Sequence, residues 1–153
     1  MTPTNAAQPP RWFRVVAVLA ILWMLVGVMA WFMDLMMTEE TLAGMSEGQR
    51  QLYESRPAWV FVVYGIAIAA GFLGAVALLM RRAWAVPALA VSLVAVAIQF
   101  GYTFLVMDAI GRIGAAAALP FPMTIIVIGA ALLWLALEAR KRGWLRGAQA
   151  PTM

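Results

Sequence analysis

Histidine and cysteine are both missing from this chain of 153 residues. Without Cys there is no disulfide, no thiol redox chemistry and no thiolate ligand. Without His as well, a His-ligated haem and any His or Cys zinc site are excluded. Charge is scarce too: 12% of residues are charged and 65% are hydrophobic, where a soluble domain is about a quarter charged and about half apolar. That leaves too little polar surface to cover a water-soluble globule. General acid–base chemistry falls to 7 carboxylates, 3 Tyr and 11 Lys or Arg, a thin set for catalysis. No P-loop, dinucleotide fingerprint, nucleophile elbow or metal-ligand spacing occurs. No period of roughly 20 to 50 residues repeats clearly.

What the chain does have is apolar residues in long unbroken runs, with a mean hydropathy of +0.88. A helix rises about 1.5 Å per residue, so about 20 apolar residues cross the hydrocarbon core of a bilayer. Four runs qualify, and they predict helices over about 15–37, 58–80, 83–107 and 120–139. The fold class is therefore all-α: a polytopic four-transmembrane-helix bundle in a domain of 11–146. Tails of 1–10 and 147–153 flank it, and the first, with three Pro among small polar residues, reads as disordered. Val28-Met29-Ala30 resembles a signal-peptidase site, but apolar residues continue through Met37, so an uncleaved helix is expected.

Arg81 and Arg82 stand between the second and third runs and mark the tip of a helical hairpin. Alternate crossing then gathers Arg11, Arg14, Arg81, Arg82, Arg140, Lys141, Arg142 and Arg146 on one side, with only Arg50, Arg56 and Arg112 opposite. The positive-inside rule places both termini in the cytoplasm. The sequence pI of about 10.4 is thus a topology signal, and no nucleic-acid partner is expected. Trp12, Trp59, Trp84, Trp144 and Tyr53 fall near the predicted span ends, where aromatic belts form.

The one substantial polar connection is the outer loop 38–57. Within it, Ser46-Glu47-Gly48-Gln49 fits a capping box and predicts a short interfacial helix from Ser46 to Glu54. Pro57 precedes the second long helix, where a proline fits the first turn. That helix carries small residues at spacings of four, including Gly65, Ala67, Gly71 and Gly74. Small residues let helices approach closely in lipid, either within the chain or toward a protein partner or a second copy.

Intramembrane ionisable residues are functional candidates by default, and this chain nearly lacks them. Asp34, Arg56, Asp108 and Arg112 share the outer side and form a candidate ion-pair cluster. Tyr64, Gln99, Tyr102 and Thr103 lie at similar depth on two antiparallel helices. They either hydrogen-bond one another or line a small outward-facing polar pocket. The methionines, including Met24, Met33, Met36 and Met37, read as packing or lipid contact. No catalytic, cofactor or metal residue is expected.

Leu52-Tyr53-Glu54-Ser55-Arg56-Pro57-Ala58-Trp59, Ala70-Gly71-Phe72-Leu73-Gly74, Leu78-Leu79-Met80-Arg81-Arg82 and the segment from Ala85 to Leu93 resemble a family of small bacterial four-helix inner-membrane proteins. Its members carry the label hypothetical membrane protein or sugar transporter. The layout is distantly similar to DoxX-type proteins. The resemblance implies a bacterial inner-membrane location and brings no catalytic residue with it. The chain lacks the Pro-Gln pair of sugar-transporting three-helix repeats and the mid-membrane Glu of small multidrug exporters. The expectation is a non-enzymatic accessory or interaction protein among membrane lipids, or alternatively a small-solute transporter acting as a homo-oligomer.

Overall fold

A computed structural model describes residues 7–147; most of both terminal tails lies outside the described residues. Every regular element described is a helix: α1 (Arg11–Leu35), α2 (Glu39–Ala43), α3 (Glu47–Glu54), α4 (Ala58–Leu79), α5 (Ala85–Leu105), α6 (Ala109–Ile113), α7 (Ala115–Ala118) and α8 (Pro120–Lys141). Four of them, α1, α4, α5 and α8, are long and apolar enough to cross a membrane, as in a multi-pass membrane protein. The sequence rules place their starts. Extended Pro10 and Pro57 immediately precede α1 and α4, and Pro120 opens α8. Each proline sits where its missing N–H costs least.

The long helices stand side by side in the order α1, α4, α5, α8. Close approach depends on small residues. A Cβ added at Gly65 would come within 3.2 Å of the Trp31 indole, and one at Gly71 would meet Met24 and the Ser92 hydroxyl. At Gly74 it would press Leu89, backbone included. Ala67 is buried, and its carbonyl accepts a 2.7 Å hydrogen bond from Ser92 Oγ. Gly65, Ala67, Gly71 and Gly74 are thus occupied by α1 and α5 of the same chain. These four small residues make close contacts within the chain because α4 lies between α1 and α5.

The row closes at one end. Phe13 and Ala17 of α1 share a core with Leu135, Ala136 and Ala139 of α8. The Phe13 ring also meets Trp144 edge-on at 5.5 Å. Trp144 is 8% exposed; the expectation of an interfacial belt residue fails here because the chain turns back under the bundle. Trp12, Trp59 and Trp84 are exposed, as belt residues are.

This basic end contains two matched helix stops. At the end of α4, Arg82 N–H bonds the Ala77 carbonyl and Arg81 N–H the Leu78 carbonyl. At the end of α8, Trp144 N–H bonds Ala139 and Gly143 N–H bonds Arg140. Both are Schellman caps, which need a left-handed residue. Gly143 supplies it at φ 69°, and Arg81 at φ 58°. The hairpin tip is therefore longer than a two-residue turn. It is tied to the C-terminal segment by Ala83 N–H to Arg146 O at 3.0 Å and Arg146 N–H to Arg81 O at 2.6 Å. Burial, then the charges of Arg146 and Arg14, hold Arg81 below the ordinary arginine range.

The opposite end carries the long polar loop. Thr38 caps α2, and Ser46 with Gln49 forms the capping box of α3. Helix α3 turns Leu52 and Tyr53 toward the bundle and Glu47, Gln51 and Glu54 toward solvent. Gly48 lies directly against the Arg112 carbonyl, so α3 packs on α6 through backbone and covers the bundle end.

Candidate functional site: two adjacent spaces toward the loop end

Beneath α3 lies a vestibule of about 380 Å³. Asp34, Gln49, Tyr53, Arg56 and Thr103 give it a polar lining, and Met37, Met45 and Met107 an apolar one. Asp34 comes from the last turn of α1 and Arg56 from the turn before α4. Arg56 Nη2 stands 2.9 Å from Asp34 Oδ2, while Asp34 Oδ2 receives no in-line hydrogen bond. The contact is a close, oblique ion pair, with side chains 22% and 14% exposed. Arg56 Cζ also lies over the rings of Tyr53 at 4.8 Å and Phe61 at 5.4 Å. Tyr53 in turn donates its hydroxyl to the Asp34 carbonyl at 3.1 Å. Cation–π and ionic contacts thus fasten the loop to the tops of α1 and α4.

Deeper in the bundle is a second cavity of about 110 Å³, walled by all four long helices. Its walls are almost wholly apolar, with Trp23, Met24, Ile68, Leu93, Val96 and Ile125 among them. The polar exceptions are Tyr64, Ser92 and Gln99. Ser92 is already bonded to Ala67. Among the described residues, neither the Tyr64 hydroxyl nor the Gln99 amide has a hydrogen-bond partner in the chain. Tyr64 lies six residues from the start of α4 and Gln99 six from the end of α5. At about 1.5 Å per residue, both stand about 9 Å below the loop end. Gln99 and Phe100 line both spaces and form the partition between them.

The four residues of the expected polar pocket divide as follows. Tyr64 and Gln99 face the inner cavity, and Gln99 and Thr103 face the vestibule. Thr103 Oγ1 is bonded to the Gln99 carbonyl at 2.9 Å. Tyr102 lines neither space and packs edge-on against Trp59 at 4.7 Å. It shares a helical face with Gln99 in sequence spacing, but the exposed Trp59 ring draws it outward. The expected four-residue ion cluster reduces to the pair Asp34–Arg56. Asp108 instead adopts φ 52° and accepts from Gly111 N–H, capping α6. Among the described residues the Arg112 side chain forms no ion pair, and its carbonyl lies against Gly48. Phe100, which the sequence gave no reason to single out among many aromatics, completes the partition.

No family model matches the chain, and neither a curated protein nor a solved structure does.

Proposed function

We propose that this chain is a multi-pass protein of a bacterial inner membrane, with both termini and the Arg81–Arg82 tip cytoplasmic. In this reading it acts without covalent chemistry, as an accessory protein that holds a small molecule in the inner cavity. The carrying observation is the pair of polar groups there, Tyr64 and Gln99, which among the described residues form no side-chain hydrogen bond within the chain and so remain available to a ligand. An unpaired hydroxyl or amide in apolar surroundings costs about 1–3 kcal/mol. Tyr64 and Gln99 are half-buried and Gln99 also borders the vestibule, so a bound molecule gains the smaller net value of about 0.5–1.5 kcal/mol for each hydrogen bond it makes to them. The segregation of basic residues to the closed end supports the orientation, because it directs the vestibule outward.

Native mass spectrometry of the protein released from its own membranes tests this. Wild type is expected to retain a small molecule that Gln99→Ala and Tyr64→Phe lose. Retention of the same mass by both variants would contradict the site.

One observation favours a second reading, transport of a small solute by a homo-oligomer. The vestibule and the inner cavity share Gln99 and Phe100, so the two spaces lie in series from the loop end inward. Four helices alone rarely enclose a complete path, so this reading requires two or more copies. Uptake that Gln99→Ala and Tyr64→Phe abolish would support it. Uptake equal to wild type in both would remove it.

A further inference from the structure

The inner cavity opens through its side. Val26 of α1 and Phe121 of α8 both line it, yet they are 62% and 65% exposed. A residue that walls a cavity and also faces outward stands at its mouth. Helices α1 and α8 share a core near the basic end, through Phe13, Ala17, Leu135 and Ala139. Toward the loop end the cavity lies between them. On the α1 side of this gap the surface is apolar, with Leu22 exposed one turn from Val26. In a membrane, this mouth faces lipid and not water.

Size and polarity then restrict what fits. An apolar cavity of about 150 Å³ encloses one benzene, so about 110 Å³ encloses one end of a ligand and leaves the remainder outside. Among the described residues no ionised side chain lines the cavity, so a charged group inside would go uncompensated. A polyhydroxylated solute would leave most of its hydroxyls unpaired, because only Tyr64 and Gln99 offer free hydrogen-bonding groups.

Resting on the reading of this cavity as a binding site, we infer that it takes the neutral polar head of a long-chain amphiphile drawn sideways from the bilayer between α1 and α8. Tyr64 and Gln99 hydrogen-bond the head. The chain passes out between Val26 and Phe121 into the surrounding lipid. Gln99 also lines the vestibule, so the head lies one side chain away from the aqueous side.

The test is photolabelling of the full chain in phosphatidylcholine nanodiscs, with a hexadecanol derivative carrying a diazirine beside its hydroxyl. Labelling is expected on Trp23, Ile68 or Phe100. It should fall about tenfold with excess hexadecanol or in Gln99→Ala, the loss of about 1.4 kcal/mol of hydrogen bonding. Gly129→Leu and Ala30→Phe each fill the cavity from a different helix and should abolish it, so a folding failure in one leaves the other as the readout. Labelling spread over the outer residues Leu19, Leu22 and Trp134, and unchanged by competitor or by either filling variant, would overturn the inference. If native mass spectrometry then still shows a polar solute that Gln99→Ala loses, the binding reading survives and only the amphiphile is wrong. If no mass is retained, both are wrong.

Discussion

Arg81 donates its Nε–H to the Trp144 carbonyl across 2.9 Å, joining the α4–α5 tip to a residue 63 positions later. Arg81 is also the left-handed residue of its own helix stop. A non-glycine residue in that conformation costs about 1–2 kcal/mol, and here the same side chain forms the bond that holds the end of the bundle together.

Two substitutions separate those roles. Arg81→Ala keeps the left-handed strain and removes the bond, leaving the half-buried Trp144 carbonyl without it. Arg81→Gly removes the same bond but adopts the backbone freely. The glycine variant is expected to be about 1 kcal/mol more stable than the alanine variant, and both less stable than wild type. Thermal unfolding in detergent measures the order. Equal melting of the two variants would show that the cap is unstrained.

Glycine packing on α4 predicts a contrast with α5. Gly74→Ala places a methyl against Leu89, including its backbone nitrogen at 3.2 Å. The helices must part, at a cost of about 1–3 kcal/mol. A Cβ at Gly101 meets nothing within 4 Å, so Gly101→Ala gains helix propensity, about 0.5–1 kcal/mol. The same melting assay reads both, and the shifts should have opposite sign.

The loop end predicts protease behaviour. Asp34 and Arg56 are largely shielded from water, so Asp34→Asn leaves a poorly solvated cation and should cost about 2 kcal/mol, between the surface and buried limits. Arg56→Lys keeps the charge but loses the guanidinium held over Tyr53 and Phe61, and should not behave as wild type. Gly48→Ala undocks α3 from Arg112 by backbone collision. Each of the three variants should expose Arg50 to trypsin faster than wild type does. An unchanged cleavage rate in all three would mean that the loop is held by other contacts.

The long helices were legible in the sequence because lipid-length apolar runs have few competing explanations. The capping box at Ser46 and Gln49 was legible because it is local. The helix ends shifted where tertiary bonds intervened: α1 begins at Arg11, next to Phe13, whose ring packs on Trp144. Tyr64 and Gln99 could be found from polarity and depth alone. Tyr102 could not be separated from them, because helical spacing gives a face but not the competing ring of Trp59. Asp108 and Arg112 looked like partners for Asp34 and Arg56, but one closes a helix turn and the other contributes its carbonyl. Backbone roles of this kind leave no mark in charge patterning. The lateral mouth depends on where α1 and α8 separate, which no single helix encodes.

The most direct measurement is cysteine labelling in intact cells, because the chain has no native Cys and each introduced thiol reports alone. Thr103→Cys lies in the vestibule wall and Arg82→Cys at the hairpin tip. The proposed orientation predicts that a membrane-impermeant maleimide modifies Thr103→Cys from outside and reaches Arg82→Cys only after permeabilisation. Modification of Arg82→Cys in intact cells, with Thr103→Cys protected, would contradict an outward-facing site.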